Sequence, residues 1–381
     1  RARKDRKWTL HINGKYKELS TKDLLDLLAE EQCSIASNGA IYRTERAGLI
    51  PSILDRWFDE RVEYKNLRKK YAKEGDEAQV AYFDQLQYTT KILLNSMYGV
   101  LGNKTFRFFD IDNAEAVTLT GQQLIKATGE FGSKFYNDEL GTDKDYCIYT
   151  DTDSVFFSAK PIILHRYPNI DHEDKAAMTK AIFPITEEVQ NFINQMYDLY
   201  AERIHNVIKH RFDIKQENIA KAGLWIAKKR YAQWVINVEG HTVDKLDVKG
   251  IDVVRSNFPT AMRTFLANVL QGILENKTQH AIDEMVLDFR DTMKKMDIGD
   301  IAKSTGVKNI EKHVFKDEGI IELSKGAPAH VKAAVAYNNM MRKTGTTNKG
   351  EIRSGDKIKW VYLKQNPYGL GAIAFKNYDD P

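Results

Sequence analysis

The chain has 381 residues, too many for one compact core, so two or three domains are expected. With 42% hydrophobic and 29% charged residues it reads as an ordinary globular protein. No apolar run could span a bilayer, and no apolar stretch behind the basic N-terminus could serve as a secretory signal. Cys33 and Cys147 are the only cysteines, which excludes a disulfide framework and zinc spacing and fits a reducing compartment. The net charge of +4 is too small to establish a polyanionic partner; where the charge sits counts for more. The chain begins at Arg1 rather than Met and is taken as a fragment or a processed piece.

The first clear element is helical, from Pro51 to about Lys73, with Ile53, Leu54, Trp57, Phe58, Val62 and Tyr64 on an apolar face. Gly75 is a stop signal and Asp76 an N-cap for a second helix, which is expected to run from Glu77 to Tyr98 and stop at Gly99. The short link predicts an antiparallel helical hairpin. A third helix is expected over Ala114–Asn137 and a fourth over Thr186–His210. A β-rich region spans Ile219–Val248. Helices then dominate from Phe258 up to a strand over Lys359–Leu363. The fold class is α+β in three subdomains.

Between the third and fourth helices lies Tyr149-Thr150-Asp151-Thr152-Asp153-Ser154, flanked by Cys147-Ile148 and Val155-Phe156-Phe157. Strand-forming flanks around a polar centre predict a hairpin with two carboxylates at its tip. Residues two apart on an extended chain face one side, so Asp151 and Asp153 are expected to converge on a cation such as Mg²⁺. On the second helix Lys91, Asn95 and Tyr98 share a face, and on the first Arg61 and Lys65 stand four apart. Packed antiparallel, these faces would flank one groove suited to a triphosphate. The segment Lys228-Lys229-Arg230-Tyr231 lies between strand-like stretches and suits the backbone or minor groove of a nucleic-acid duplex. Singly, each feature is also what a solvated helix face, a core tyrosine or a lysine-guarded strand edge presents. There is no GxxxxGK[ST] loop, GxGxxG fingerprint, GxSxG elbow or HExxH pair, and no histidine has metal-ligand spacing.

Together and in this order the motifs resemble those of family B DNA polymerases. Lys91 to Gly99 is similar to the KxxxNSxYG motif of the fingers helix, YTDTDS to the palm YGDTDS with Thr150 in place of Gly, and Lys228 to Tyr231 to KKRY. Gly102 to Asp110 and Asn366-Pro367-Tyr368-Gly369 resemble the enzymes of large tailed bacteriophages, and Lys249-Gly250-Ile251-Asp252 the palm-to-thumb junction.

The resemblance implies a right-hand polymerase fragment with helical-hairpin fingers, an antiparallel-sheet palm and a mostly helical thumb. Its divisions would be a palm remainder over 1–48, fingers over 49–105, palm over 106–252 and thumb over 253–381. It implies that Asp153 is the metal ligand shared by two Mg²⁺ ions and Asp151 the weaker partner. Lys91, Asn95, Arg61 and Lys65 would hold the incoming dNTP, with Tyr98 beside the nascent base pair and Lys91 also an acid toward pyrophosphate. Lys228, Lys229, Arg230 and Tyr231 would touch primer-template DNA.

The reaction implied is attack of a primer 3′-hydroxyl on the α-phosphorus, assisted by the two ions. The family's upstream DxxSLYPS motif, with its palm aspartate, is absent, as is the exonuclease. A split or truncated polymerase, inactive alone and needing that N-terminal half, is therefore expected. A sliding clamp is a further candidate partner, and a cytoplasmic location (the host's, if phage-encoded) follows. The alternative is a non-catalytic primer-template-binding subunit that keeps the polymerase fold.

Overall fold

The computed structural model describes residues 7–12, 14–317, 320–323, 326–345 and 350–376. It divides into two compact units, Arg1–Gln216 and Glu217–Pro381.

The first unit opens with the antiparallel strands β1 (Lys7–Ile12) and β2 (Lys15–Ser20). Helix α1 (Thr21–Glu30) follows, begun by a reciprocal capping box between Ser20 and Asp23. The short strands β3 (Cys33–Ile35) and β4 (Ile41–Arg43) pair next. Leu19, Leu24, Leu28 and Cys33 form the small core under these elements. The loop between β3 and β4 is pinned elsewhere: Asn38 donates to the Asp112 carbonyl at 2.8 Å, and the Ser37 amide donates to the Thr120 hydroxyl at 3.1 Å.

Helices α2 (Leu49–Glu74) and α3 (Glu77–Leu101) form the expected antiparallel hairpin. Gly75, left-handed at φ 77°, ends α2, and the Asp76 carboxylate caps α3 by accepting from the Gln79 amide. Gly99 is not the stop. The helix runs through it to Leu101 and is capped at Gly102, because an isolated glycine costs a helix less than the next turn of hydrogen bonds supplies. The hairpin has almost no core: no α2 residue is buried, and on α3 only Thr90 and Leu101 are. A stacked Tyr71–Phe83 pair at 5.5 Å and an Arg68–Asp84 ion pair at 2.7 Å fix its register.

Helix α4 (Ile111–Leu140) starts three residues earlier than the sequence suggests, because Asp110 caps it. Strands β5 (Cys147–Asp151) and β6 (Ser154–Phe157) pair with each other. After α5 (Lys160–Arg166), helix α6 (Lys175–His205) carries Pro184 inside it. The sequence suggests a start after that proline, at Thr186; Asp174, which accepts from the Ala176 and Ala177 amides, starts the helix eleven residues earlier. Its C-terminus falls at left-handed Asn206, short of the expected His210. Tyr136, Ile162, Ile163, Ala181 and Ile185 form the core shared by α4, α5 and α6.

The second unit opens with the three-stranded antiparallel meander β7 (Asn218–Ala227), β8 (Arg230–Val238) and β9 (His241–Lys249). Helices α7 (Thr260–Leu274), α8 (Gln279–Met293) and α9 (Ile298–Ile301) follow. One face of the meander packs on α7 through Ala232, Trp234, Val248, Leu270 and Leu274. The rest is less helical than the sequence suggests. Strand β10 (Lys303–Gly306) precedes a paired β11 (Val314–Asp317) and β12 (Ile320–Leu323), then helix α10 (Ala329–Thr344), β13 (Lys357–Tyr362) and β14 (Ala372–Phe375). The sheet β10–β13–β14 covers α10 around Val331, Val335, Ile358 and Trp360.

Candidate active site

The YTDTDS segment forms the predicted hairpin, with one change to the predicted geometry. Asp151 pairs with Ser154, so Thr152 and Asp153 make a two-residue turn. Thr152 is left-handed at φ 56°, and the Asp153 amide donates back to the Asp151 carbonyl at 2.6 Å. Strand alternation therefore does not set the relation of the two carboxylates; the turn does. The Thr152 hydroxyl donates to the Asp151 carboxylate at 3.1 Å, and the Ser154 hydroxyl donates to the Asp151 carbonyl at 3.2 Å. Asp153 is exposed at the tip and joins no ion pair among the described residues.

Two helix glycines seat this hairpin on α4. A methyl group at Gly132 would come within 2.1 Å of the Phe157 ring, and one at Gly129 would touch the Cys147 sulfur at 3.4 Å. Next to them the Ser133 hydroxyl donates to the Asp145 carboxylate and accepts from the Tyr146 amide, both at 3.0 Å. The Cys147 thiol is half-buried, and burial pushes its pKa up, with Asp145 adding to the effect. Neither glycine was singled out from sequence. The available signal was a pair of helix-breaking residues three apart inside a strong helical pattern.

In the helical hairpin, Arg68 lies opposite Asp84. Seven residues make about two turns. Arg61 and Lys91 therefore repeat that pairing about 10 Å nearer the other end of the hairpin, with a cation where Asp84 supplied the carboxylate. The Arg61 Nε is buried without a hydrogen-bond partner, and neither Arg61 nor Lys91 joins an ion pair among the described residues. Lys65 lies one turn further along the face of Arg61 and is half-buried, while Asn95 and Tyr98 continue the face of Lys91 and are exposed. Side chains of these two types can pair with the oxygens of an anion.

The fit to a metal is partial. Asp151 and Asp153 offer the hard carboxylate oxygens that Mg²⁺ takes. Among the described residues, no three His, Cys, Asp or Glu side chains gather to hold an ion.

In the second unit, Lys228 and Lys229 are the turn between β7 and β8, with Lys229 left-handed at φ 60°. Gly250, at φ 65°, lies directly beneath: a methyl group there would collide with the Lys229 carbonyl at 1.9 Å. Lys228 and Lys229 are exposed, while Arg230 reaches Asp252 at 3.7 Å. Tyr231 is only 8% exposed and stacks on Trp225 at 6.4 Å, under the turn rather than on its surface. Among the described residues no helix is long and apolar enough to cross a membrane.

Residues 9–379 match the sequence profile of DNA polymerase family B. The chain is 24% identical to the DNA-directed DNA polymerase of Escherichia phage RB69, an alignment that covers 96% of this chain and 46% of that protein. It is 26% identical to the DNA-directed DNA polymerase of Enterobacteria phage T4, over 76% of this chain and 32% of the phage protein. It is 29% identical to the DNA polymerase delta catalytic subunit of Schizosaccharomyces pombe, over 93% and 30% of the two lengths. The chain thus spans less than half the length of these relatives. With the ordered motifs and the profile in agreement over nearly every residue, the chain belongs to DNA polymerase family B.

Proposed function

We propose that this chain supplies the fingers, much of the palm and the thumb of a polymerase that extends a primer 3′-hydroxyl with nucleoside triphosphates. The observation that carries the reading is the buried, unpartnered Arg61 Nε on the same unit as the carboxylate hairpin, with Lys91 set across from it if the Arg68–Asp84 register continues for two turns. An anion site and a hard-cation site on one scaffold suit phosphoryl transfer, in which positioning and charge neutralisation provide most of the catalysis. The proposed divisions are a palm remainder over 1–48, fingers over 49–105, palm over 106–252 and thumb over 253–381.

In this reading Lys91, Arg61 and Lys65 neutralise the triphosphate and Asn95 adds a neutral donor. Tyr98 lies beside the nascent base pair. Lys91 protonates the departing pyrophosphate. Lys228, Lys229 and Arg230 meet the primer-template backbone, with Tyr231 holding their turn. Asp153 and Asp151 would hold two Mg²⁺ ions, which when bound supply Lewis-acid stabilisation of the attacking and leaving oxygens. Two carboxylates are too few for that, so a further aspartate, of the DxxSLYPS type, comes from outside these 381 residues. That N-terminal polymerase part, with its exonuclease, is the principal protein partner; a sliding clamp is a second.

Asp153→Ala tests the assignment. In enzyme reconstituted with the upstream part, incorporation should fall on the order of a thousandfold, with primer-template affinity unchanged. The chain without that part should extend primers negligibly. Unchanged incorporation by the variant removes Asp153 from the site. Equal DNA binding with no incorporation by the reconstituted wild type supports a binding subunit instead.

A further inference from the structure

The helical hairpin α2–α3 is a long arm without a buried core, so the contacts at its base set its angle. We propose that Arg211 is a positioning residue that fixes this angle, and with it the placement of the triphosphate cations relative to the carboxylate hairpin. The proposal rests on the function proposed above.

Arg211 engages two turns of α2 at once. Its Nε lies 2.9 Å from the Asp55 carboxylate, its Nη1 lies 3.4 Å from Asp59, and its guanidinium sits 4.9 Å from the centre of the Phe58 ring. Asp55 and Asp59 stand four apart and so share a face of the helix, upstream of Arg61 and Lys65. The contacts are exposed, and isolated surface ion pairs are weak. Here one planar fork makes three contacts at the fixed end of a lever, where a small rotation is amplified at the far end.

The other side of the clasp is rigid. Arg211 projects from an extended strap that runs back along α6. The Asn194 side chain donates to the Ile214 carbonyl at 3.0 Å and accepts from its amide at 2.9 Å. Gln190 accepts from the Gln216 amide at 2.7 Å, and the His210 Nε2 meets Asp198 at 3.0 Å. Gln190, Asn194 and Asp198 are spaced by four, one gripping row on α6. Helix α6 is in turn fixed to α4 by a buried Thr128–Tyr197 hydroxyl pair at 2.8 Å. α4 carries the β5–β6 hairpin on Gly129 and Gly132. The fingers base and the carboxylates are thereby referenced to one frame.

The test uses the full chain, with spin labels at Lys73→Cys on the arm and Glu187→Cys on α6 in a Cys147→Ser background. Arg211 intact should give a narrow distance distribution. Arg211→Ala should broaden or shift it, Arg211→Lys should be intermediate, and 1 M salt should mimic the alanine variant. Asp55→Asn with Asp59→Asn, which leaves the strap untouched, should reproduce the change. In reconstituted enzyme Arg211→Ala should raise the KM for dNTP about tenfold, with primer-template affinity unchanged. An unchanged distribution overturns the proposal whatever the enzyme does, and so does a changed distribution with unchanged KM. If the reconstituted wild type incorporates nothing, the functional reading fails, and the distance measurement still decides whether Arg211 sets the arm.

Discussion

At the scale of single residues, cations on one helix differ in their partners. Arg68 has Asp84, while Arg61, two turns away, has among the described residues no carboxylate partner and a buried Nε without an acceptor. Arg166 shows the structural extreme. Its guanidinium donates to Glu139 at 2.6 and 2.7 Å and to Glu188 at 2.6 and 3.0 Å, tying α5 to α4 and α6. These bonds hold the Glu188 carboxyl below its usual pKa of 4.5. A carboxylate whose folded pKa is depressed contributes stability above its unfolded pKa and loses it as pH falls through the folded value. Glu188→Gln should therefore cost about 0.5–1 kcal/mol at pH 7, a small value because Glu188 is half exposed, and less at about pH 3. Urea unfolding at the two pH values checks this. An equal cost at both would mean that charge is not what Arg166 recognises.

At the scale of elements, glycines inside helices have opposite meanings. Gly132 of α4 faces the Phe157 ring with no room for a methyl group, whereas Gly99 of α3 has open space around it. Gly132→Ala should destabilise by about 1–3 kcal/mol through overpacking and displace the carboxylate hairpin. Gly99→Ala should stabilise by about 0.5–1 kcal/mol, because alanine loses less backbone entropy in a helix. Thermal unfolding of both variants separates the cases. A neutral Gly132→Ala would show that the hairpin is not seated where the ring contact places it.

At the scale of the whole molecule, charge is divided unevenly. In the second unit Lys and Arg outnumber Asp and Glu, and in the first the balance is reversed, so the excess behind the net +4 lies in the second unit. That unit carries the Lys228–Lys229 turn, and phosphate contacts made there would release counterions. Duplex affinity should fall steeply with salt, and Lys228→Ala should lower the slope of log K against log salt by about one. Binding titrations between 50 mM and 200 mM salt read this out. A slope unaltered by the substitution would place the duplex elsewhere.

The sequence alone determined the elements whose signals are local. These include the Gly75–Asp76 break between two long helices, the turn in YTDTDS, the β-rich region after Ile219 and the order of motifs that places the chain in its family. Propensity, capping and turn chemistry act over a few residues, so they are legible there. Boundaries that depend on competition were misread: Gly99 and Pro184 look like breaks but lie inside helices. Only the tertiary structure decided which cations are already paired. It put Arg68 on Asp84, Arg230 near Asp252, Tyr231 beneath its turn and Arg211 on α2. The physical reason is that a charge acquires its role from neighbours far away in sequence, and no local pattern records them.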